Sequence, residues 1–494
     1  MTASALRVLH VASEVAPWAA TGGLADVVAA LPAALATARP GIVQATVVPL
    51  YREARLRLAA AGVALDDGPT LTIALGAHRI AVQLRRARVA DGPWFVDCPP
   101  LYDRDGLYGN GWGDHGDNPL RFGVLCRAAL DAGPALLDGP VAVVHGHDWQ
   151  AGLAIALTRL SGPPAATMFT IHNLAFRGEF DRAAMTELGL PWSAFDQHHL
   201  EAWGRLSLLK AGLAYADVVT TVSPSYASEL LTPEGGHGLD GFLRDRVARL
   251  VGIVNGIDAE AWDPARDAAL PARFSARDPR GKARCRAALA NELGLEVAAD
   301  IPIAVAVSRL SGQKGLDLCA DLVPVLDELP CTLAILGSGD PALEARLREL
   351  AAQYPDRLAV RIGFDPALAR RMYAGGDLLV MPSRFEPCGL AQLYAMRYGT
   401  VPVVSAVGGL KDTVLDPGDE ALAAGGGTGF RFEVVDAAGL RWALGRAARM
   451  FATDPAGFAA VRAAGMGRDS SWGPSAAAYA ALYDAAVAVR KRAP

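Results

Sequence analysis

Residues 381–396 read MPSRFEPCGLAQLYAM, and their reading decides the fold. The apolar run Leu378–Met381 leads in as a buried parallel strand. A polar turn from Pro382 to Pro387 follows. Gly389, Leu390, Leu393, Tyr394 and Arg397 then recur at helical spacing until Gly399 and Pro402 end the segment. Strand, loop and helix in that order place Arg384, Glu386 and Cys388 at the carboxyl end of a strand. Open α/β sheets bind ligands there, and the backbone N–H groups of a helix start can hold an anion. Glu386 has two readings at this point: a first-turn carboxylate complementing the helix dipole, or a ligand-facing group.

The same unit recurs on both sides. Ile303–Val307 reads as a strand followed by SRLSGQKG and a helix from Leu316. Residues 331–336 end in Gly337-Ser338-Gly339-Asp340, Leu358–Ile362 ends in Gly363-Phe364, and 401–404 lead to Gly408-Gly409. Helices follow from Asp436 and Pro455, and a last one from about Ser475 aligns Tyr479, Leu482, Tyr483 and Val487 on one face. In the first half, residues 6–12 run through SEVAPWAATGG into a helix from near Leu24 that ends by Pro40. Residues 43–50 form a second strand, and 71–84 form a hairpin around Gly76-Ala77. A strand at 141–144 delivers HGHDWQAGL and a helix from Gln150, and 168–171 ends in His172-Asn173. Lys210 lies on an apolar helix at 206–214. Residues 218–222 reach SPSY, where Ser223 or Ser225 caps the next helix. Strand 251–254 runs into Asn255-Gly256, a turn after which the domain boundary falls. Strands alternating with helices predict an α/β protein with two doubly wound parallel sheets. The domains span residues 1–256 and 257–473.

A chain of 494 residues is too long for one core. Its net charge of −5 argues against a nucleic-acid or anionic-membrane surface. No apolar run approaches the roughly 18 residues of a membrane span, and the start lacks a signal-peptide layout. The six cysteines form no CxxC pair. His145 and His147 find no third ligand at metal-binding spacing, which favours hydrogen bonding to a polar ligand or a structural role. A cytoplasmic, soluble, metal-free protein without a cofactor is the expectation.

Glycine turns at 22–23, 337–339 and 408–409 let backbone amides approach an anion, and Arg309, Lys314 and Arg384 supply cations near Glu386. Singly each cation reads as a solvated surface charge. Together, after successive strands of one domain, they suit a diphosphate. The segment from Tyr102 to Phe122 is a long loop of Gly, Asp and aromatics, and Asp117 and Asn118 stand where a helix cap belongs.

SEVAPWAATGGLADV, HGHDWQAGL, FTIHNLAF, SLLKAGLAYAD, VNGID, VSRLSGQKGLDL and PSRFEPCGLAQLYAMRYGT resemble the bacterial glycogen synthases, retaining glucosyltransferases related to plant starch synthases. The resemblance covers nearly the whole chain in order. It implies two Rossmann-like domains facing a central cleft (GT-B type), with helix 474–494 joined to the first. It also implies transfer of glucose from ADP-glucose to the non-reducing end of an α-1,4-glucan such as glycogen, and no nucleic-acid or membrane partner. Arg309 and Lys314 would neutralise the diphosphate, and Glu386 would bind sugar hydroxyls near the reacting carbon. His147 would support the glucosyl group. Gly22, Gly23, Cys388, Gly389 and Leu390 would line the nucleotide-sugar, with Phe364 against the base. Asp117, Asn173 and Asn255 match further substrate-binding positions.

Two positions depart from the family. Its usual Lys-Thr-Gly-Gly-Leu is here Ala20-Thr21-Gly22-Gly23-Leu24, which removes a cationic donor contact, and Gln150 stands where a histidine is frequent. Use of UDP-glucose or another donor, or a glucan-binding protein with weakened catalysis, are the alternatives that Ala20 raises.

Overall fold

Ile303–Val307, Leu378–Met381 and Val401–Ser405 are buried along almost their whole length, as strands covered by helices on both faces must be. The computed structural model describes residues 5–110, 113–162, 164–247 and 249–492. It divides into one unit of Met1–Gly256 with Trp472–Pro494 and a second of Ile257–Ser471.

The second unit holds six parallel strands in the spatial order Leu358–Ile362, Thr332–Gly337, Ile303–Val307, Leu378–Met381, Val401–Ser405, Phe430–Phe432. In chain order that is 3-2-1-4-5-6, the Rossmann arrangement, whose order reverses between the first and fourth strands. Alternate residues feed two cores. Ala304, Ala306, Leu378 and Val380 face one, while Ile303, Val305, Leu379 and Met381 face the other.

The first unit repeats the logic with seven parallel strands. Leu250–Gly252, Val218–Thr221, Ala166–Ile171 and Val143–His147 lie on one side of Arg7–Val11, and Val43–Pro49 and Trp94–Asp97 lie on the other. The hairpin Leu65–Leu75 and His78–Ala87 extends this sheet as an antiparallel edge. The C-terminal helix Gly473–Arg492 buries Tyr479, Leu482 and Tyr483 against Val8, Val143 and Met168 of the sheet.

Several boundaries differ from expectation for identifiable reasons. The helix of the opening stretch begins at Ala391, not Gly389; Gly389 adopts a left-handed φ of +73°, outside the helical region. The strand expected at 141–144 is Val143–His147, so both histidines lie within it. Strand 251–254 is Leu250–Gly252. Helices Arg52–Ala60, Arg280–Leu293 and Pro366–Gly375 went unread. In Arg280–Leu293 the buried face is Lys282, Cys285, Leu289 and Leu293, a helical spacing hidden because it begins on a lysine. That ammonium donates to the carbonyls of Ala374 and Tyr398 and to Thr400 Oγ1 at 2.9–3.0 Å.

Glycine is obligatory where the two loops after the first and fourth strands of the second sheet touch. Gly315 has φ +66°, and a Cβ there would lie 2.0 Å from the carbonyl oxygen of Pro382. Gly315→Ala is therefore expected to destabilise the second unit by about 1–3 kcal/mol, since a left-handed alanine and a backbone clash add. Urea unfolding monitored in the second unit checks this, and an unchanged midpoint would show that the loops can separate freely.

Candidate functional site

At the order reversal of the second sheet, neighbouring strands send their crossovers in opposite directions and leave a crevice at their carboxyl ends. Arg309 and Lys314 stand in the loop after Ile303–Val307, and Arg384 and Glu386 in the loop after Leu378–Met381. Lys314 Nζ donates to Glu386 Oε2 at 2.6 Å, and Ser383 Oγ donates to the same oxygen at 3.0 Å. Glu386 is 5% exposed. Its backbone carbonyl accepts from Gly409 N at 3.0 Å, and Ser405 Oγ holds the Ser383 carbonyl at 2.6 Å. The carboxylate thus belongs to an ion pair at the switch point, and the helix-dipole reading of Glu386 falls.

The three cations part company. Arg309 is exposed, and among the described residues nothing holds its guanidinium. Lys314 is taken by Glu386. Arg384 binds Asp317 with both prongs at 2.8 and 2.6 Å, which corrects the expectation of a free cation there. Phe364 is 86% exposed just beyond the end of strand Leu358–Ile362. Cys388 is buried, Gly389 is left-handed, and Leu390 caps the helix that follows.

The first unit carries polar groups at its own order reversal, between Arg7–Val11 and Val143–His147. Glu14, buried, accepts from Thr21 N and Thr21 Oγ1 at 2.6 Å each and from the Tyr108 hydroxyl. Those bonds fasten the loop that leads to Gly22 and Gly23, where helix Gly23–Ala38 begins. Burial pushes the Glu14 carboxyl up, and these hydrogen bonds partly offset the rise.

His147 Nδ1 lies 3.1 Å from His172 Nε2, while His147 Nε2 is buried without a partner among the described residues. Asp148 next to it has φ +57°, an uncommon conformation that concentrates at functional sites. Its carboxylate accepts from the backbone of His172 at 2.7 Å and of Asn173 at 3.3 Å, and burial raises its pKa to about 7. Asn255 Oδ1 and Gln150 Oε1 are also buried and unpartnered among the described residues. Asn173 Oδ1 accepts from Ala175 N at 3.1 Å in a local turn. Asp117 sits at the cap position but makes no capping bond; it pairs with Arg104 at 2.9 Å.

A third histidine does join His145 and His147, contrary to the reading of their spacing: His10, from the adjacent strand, with ligand nitrogens of all three within 4.8 Å. The rings are stacked and tilted, at 4.1 Å for His145 and His147 and 18° from parallel for His10 and His147. Imidazole lone pairs lie in the ring plane, so stacked rings do not converge on one ion. Both His145 nitrogens are already occupied, by the Tyr483 hydroxyl at 2.7 Å and Thr170 Oγ1 at 2.6 Å. The trio is a hydrogen-bonded stack.

Residues 7–245 match the family model described as starch synthase catalytic domain, and residues 301–445 match glycosyl transferases group 1. Glycogen synthase of Anaeromyxobacter dehalogenans is 49% identical over 487 residues, covering 97% of this chain and 98% of that protein. The chain belongs to the glycogen synthase family. Glycogen synthase of Cellvibrio japonicus is 44% identical over 96% of the chain and 98% of its own length. The catalytic domain of starch synthase IV from Arabidopsis thaliana, bound to ADP and acarbose, superposes with a TM-score of 0.88 at 31% identity, covering 98% of this chain and 100% of that one. The molecule is accordingly a GT-B hexosyltransferase that moves glucosyl units onto a glucan. No helix among the described residues is long and apolar enough to cross a membrane.

Within this glycogen synthase fold, sequence reading passed over His10, Glu14, His172 and Asp317 as site groups. Glu14 and Asp317 lie inside stretches already singled out. Only their side-chain partners, Thr21 and Arg384, show what they hold.

Burial also fixes the charge of the histidines. It lowers His10 to about 4 and His172 to about 3, and holds His145 and His147 well below the usual imidazole value. The unfolded chain takes up protons below about pH 6.5 while the folded one does not, so this stability is complete above that pH and is lost as pH falls toward 4. The four histidines alone imply a loss on the order of 5 kcal/mol by pH 5.5, and Asp148 and Asp26, whose carboxyls burial raises to about 7 and about 6, offset part of it because only the folded chain protonates them there. Denaturant unfolding of the first unit at pH 7 and 5.5, in wild type and in His10→Gln, isolates one ring: the variant should lose about 1 kcal/mol less between the two pH values. The same change with pH in both proteins would mean that the folded His10 ring carries a proton.

Proposed function

We propose that the enzyme transfers glucose from ADP-glucose to the non-reducing end of an α-1,4-glucan with retention of configuration. The observation that carries this reading is the Lys314–Glu386 pair at the switch point of the second sheet, with Arg309, unpartnered among the described residues, in the same loop as Lys314. The resemblance in sequence, and a structural neighbour bound to ADP and acarbose, support the choice of ligands.

On this reading Arg309 and Lys314 neutralise the diphosphate, and Glu386 accepts from glucosyl hydroxyls. If His172 Nε2–H donates to His147 Nδ1, the free His147 Nε2 carries a proton and donates to the sugar. The bond between the anomeric carbon and the diphosphate oxygen breaks on the face where the acceptor hydroxyl attacks. The new glycosidic bond forms there, the hydroxyl proton passes to the departing phosphate, and ADP leaves. This differs from the paired-carboxylate arrangement of retaining hydrolases. Gly22, Gly23, Cys388, Gly389 and Leu390 line the nucleotide-sugar, Phe364 meets the base, and Asp117, Asn173 and Asn255 complete the substrate contacts.

Ala20 is exposed, and two basic residues of the first unit that could replace its missing cation are engaged elsewhere: Arg52 with Asp103 and Asp105, Lys210 with the carbonyls of Gln197 and Glu201. The donor contact is thus expected to rest on the second unit.

Glucose incorporation into glycogen from ADP-glucose and UDP-glucose in parallel tests the reading, and ADP-glucose is expected to be the better donor. Glu386→Ala and His147→Ala should each reduce kcat by roughly 10²–10³ without unfolding the protein. A clear preference for UDP-glucose would change the donor. Glycogen binding without incorporation from either donor would make this a glucan-binding protein. Near-normal turnover in either variant would remove that residue from the site.

A further inference from the structure

Arg384 spends its fork inside the second unit. Nη1 and Nη2 donate to Asp317 Oδ1 and Oδ2 at 2.8 and 2.6 Å, and Nη1 also donates to the Gly312 carbonyl at 2.7 Å. The backbone adds a second seam, from Arg384 N to Gln313 O at 2.9 Å, and Gln313 Nε2 reaches Phe385 O at 3.3 Å. Asp317 lies in the first turn of helix Leu316–Leu322, three residues past Lys314, and Arg384 lies two residues before Glu386. The guanidinium keeps the Asp317 carboxyl below the usual carboxylate range. Between them, the pair bridges the two loops that deliver Lys314 and Glu386 to each other.

We propose that Arg384 and Asp317 are positioning residues for glucosyl transfer: their two-pronged ion pair locks the Lys314 loop onto the Glu386 loop and fixes the separation of those two side chains. The proposal rests on the reading that Lys314 and Glu386 serve the donor. Only arginine can make this contact, because the planar fork matches both carboxylate oxygens and a lysine reaches one. The two side chains are 42% and 36% exposed. Ion pairs of that exposure add little to global stability, so the benefit of holding this geometry falls on the reaction. Small displacements of reacting groups are costly there, with a 1 Å misplacement worth about a hundredfold in rate.

The test compares Arg384→Gln, Asp317→Asn, their double variant, Arg384→Lys and Lys314→Ala by kcat, KM for the donor, ADP affinity and thermal midpoint. Each single variant of the clamp should lower kcat about tenfold or more at a nearly unchanged thermal midpoint. The double variant should lose no more than the worse single, because one shared interaction is removed once. Arg384→Lys should fall between wild type and Arg384→Gln. An unchanged kcat in Asp317→Asn beside weakened ADP binding in Arg384→Gln would make Arg384 a donor ligand and overturn the clamp. Multiplying losses in the double variant would overturn it too. An inactive Lys314→Ala beside a fully active Asp317→Asn rejects the clamp alone, whereas a fully active Lys314→Ala rejects the reading of the site and the clamp with it.

Discussion

Glu386 is a carboxylate withdrawn from water, and a charge so placed needs a partner at hydrogen-bond distance. Lys314 supplies it, and much of the second unit follows from bringing those two groups together. Their strands must be neighbours at the point where the sheet order reverses. Their loops must meet with nothing between them, so Gly315 lies where any side chain would strike the Pro382 carbonyl. Gly409 and Ser405 hold the backbone beneath Glu386 from the next loop, and the Arg384–Asp317 pair closes the seam on the solvent side. Of the three cations Arg309, Lys314 and Arg384, Arg309 is the one left without a partner among the described residues, the condition of a cation kept for an anion that comes and goes.

The first unit solves a similar problem without cations. Glu14 is buried among donors from Thr21 and Tyr108 rather than against a basic residue. Four histidines are stacked and bonded as neutral rings, to one another, to Gln44 and Thr170, and to Tyr483 of the C-terminal helix. That helix reaches the site's own strand through the Tyr483 hydroxyl on His145 as well as through its apolar packing on Val143. The loop of Gly22 and Gly23 is left exposed, and His147 Nε2 is left without a partner among the described residues.

The strand–loop–helix units were legible because continuous apolar runs followed by glycine turns have few other readings, and the parallel sheets followed from their alternation. The residues at strand ends, Arg309, Lys314, Glu386 and His147, were legible for the same reason. What escaped was pairing. Arg384 looked as free as Arg309, since nothing in SRFEPCG announces that its partner is Asp317, sixty-odd positions earlier in chain and adjacent in space. His10 went unseen because its contact with His145 and His147 arises from strand adjacency and not from spacing along one segment. Lys282 disguised a helix, because a lysine is not ordinarily counted as a buried position. These three misses concern polar groups whose partners are remote in sequence, whereas apolar patterns declare themselves locally.

The central claim is that Arg309 and Lys314 hold the diphosphate of the donor at the switch point of the second sheet. A crystal structure of the protein with ADP tests it most directly. The account predicts phosphate oxygens within hydrogen-bond distance of both the Arg309 guanidinium and the Lys314 ammonium, with the adenine beside Phe364. Phosphates bound elsewhere, with Lys314 still donating only to Glu386 and Arg309 still in solvent, would contradict it.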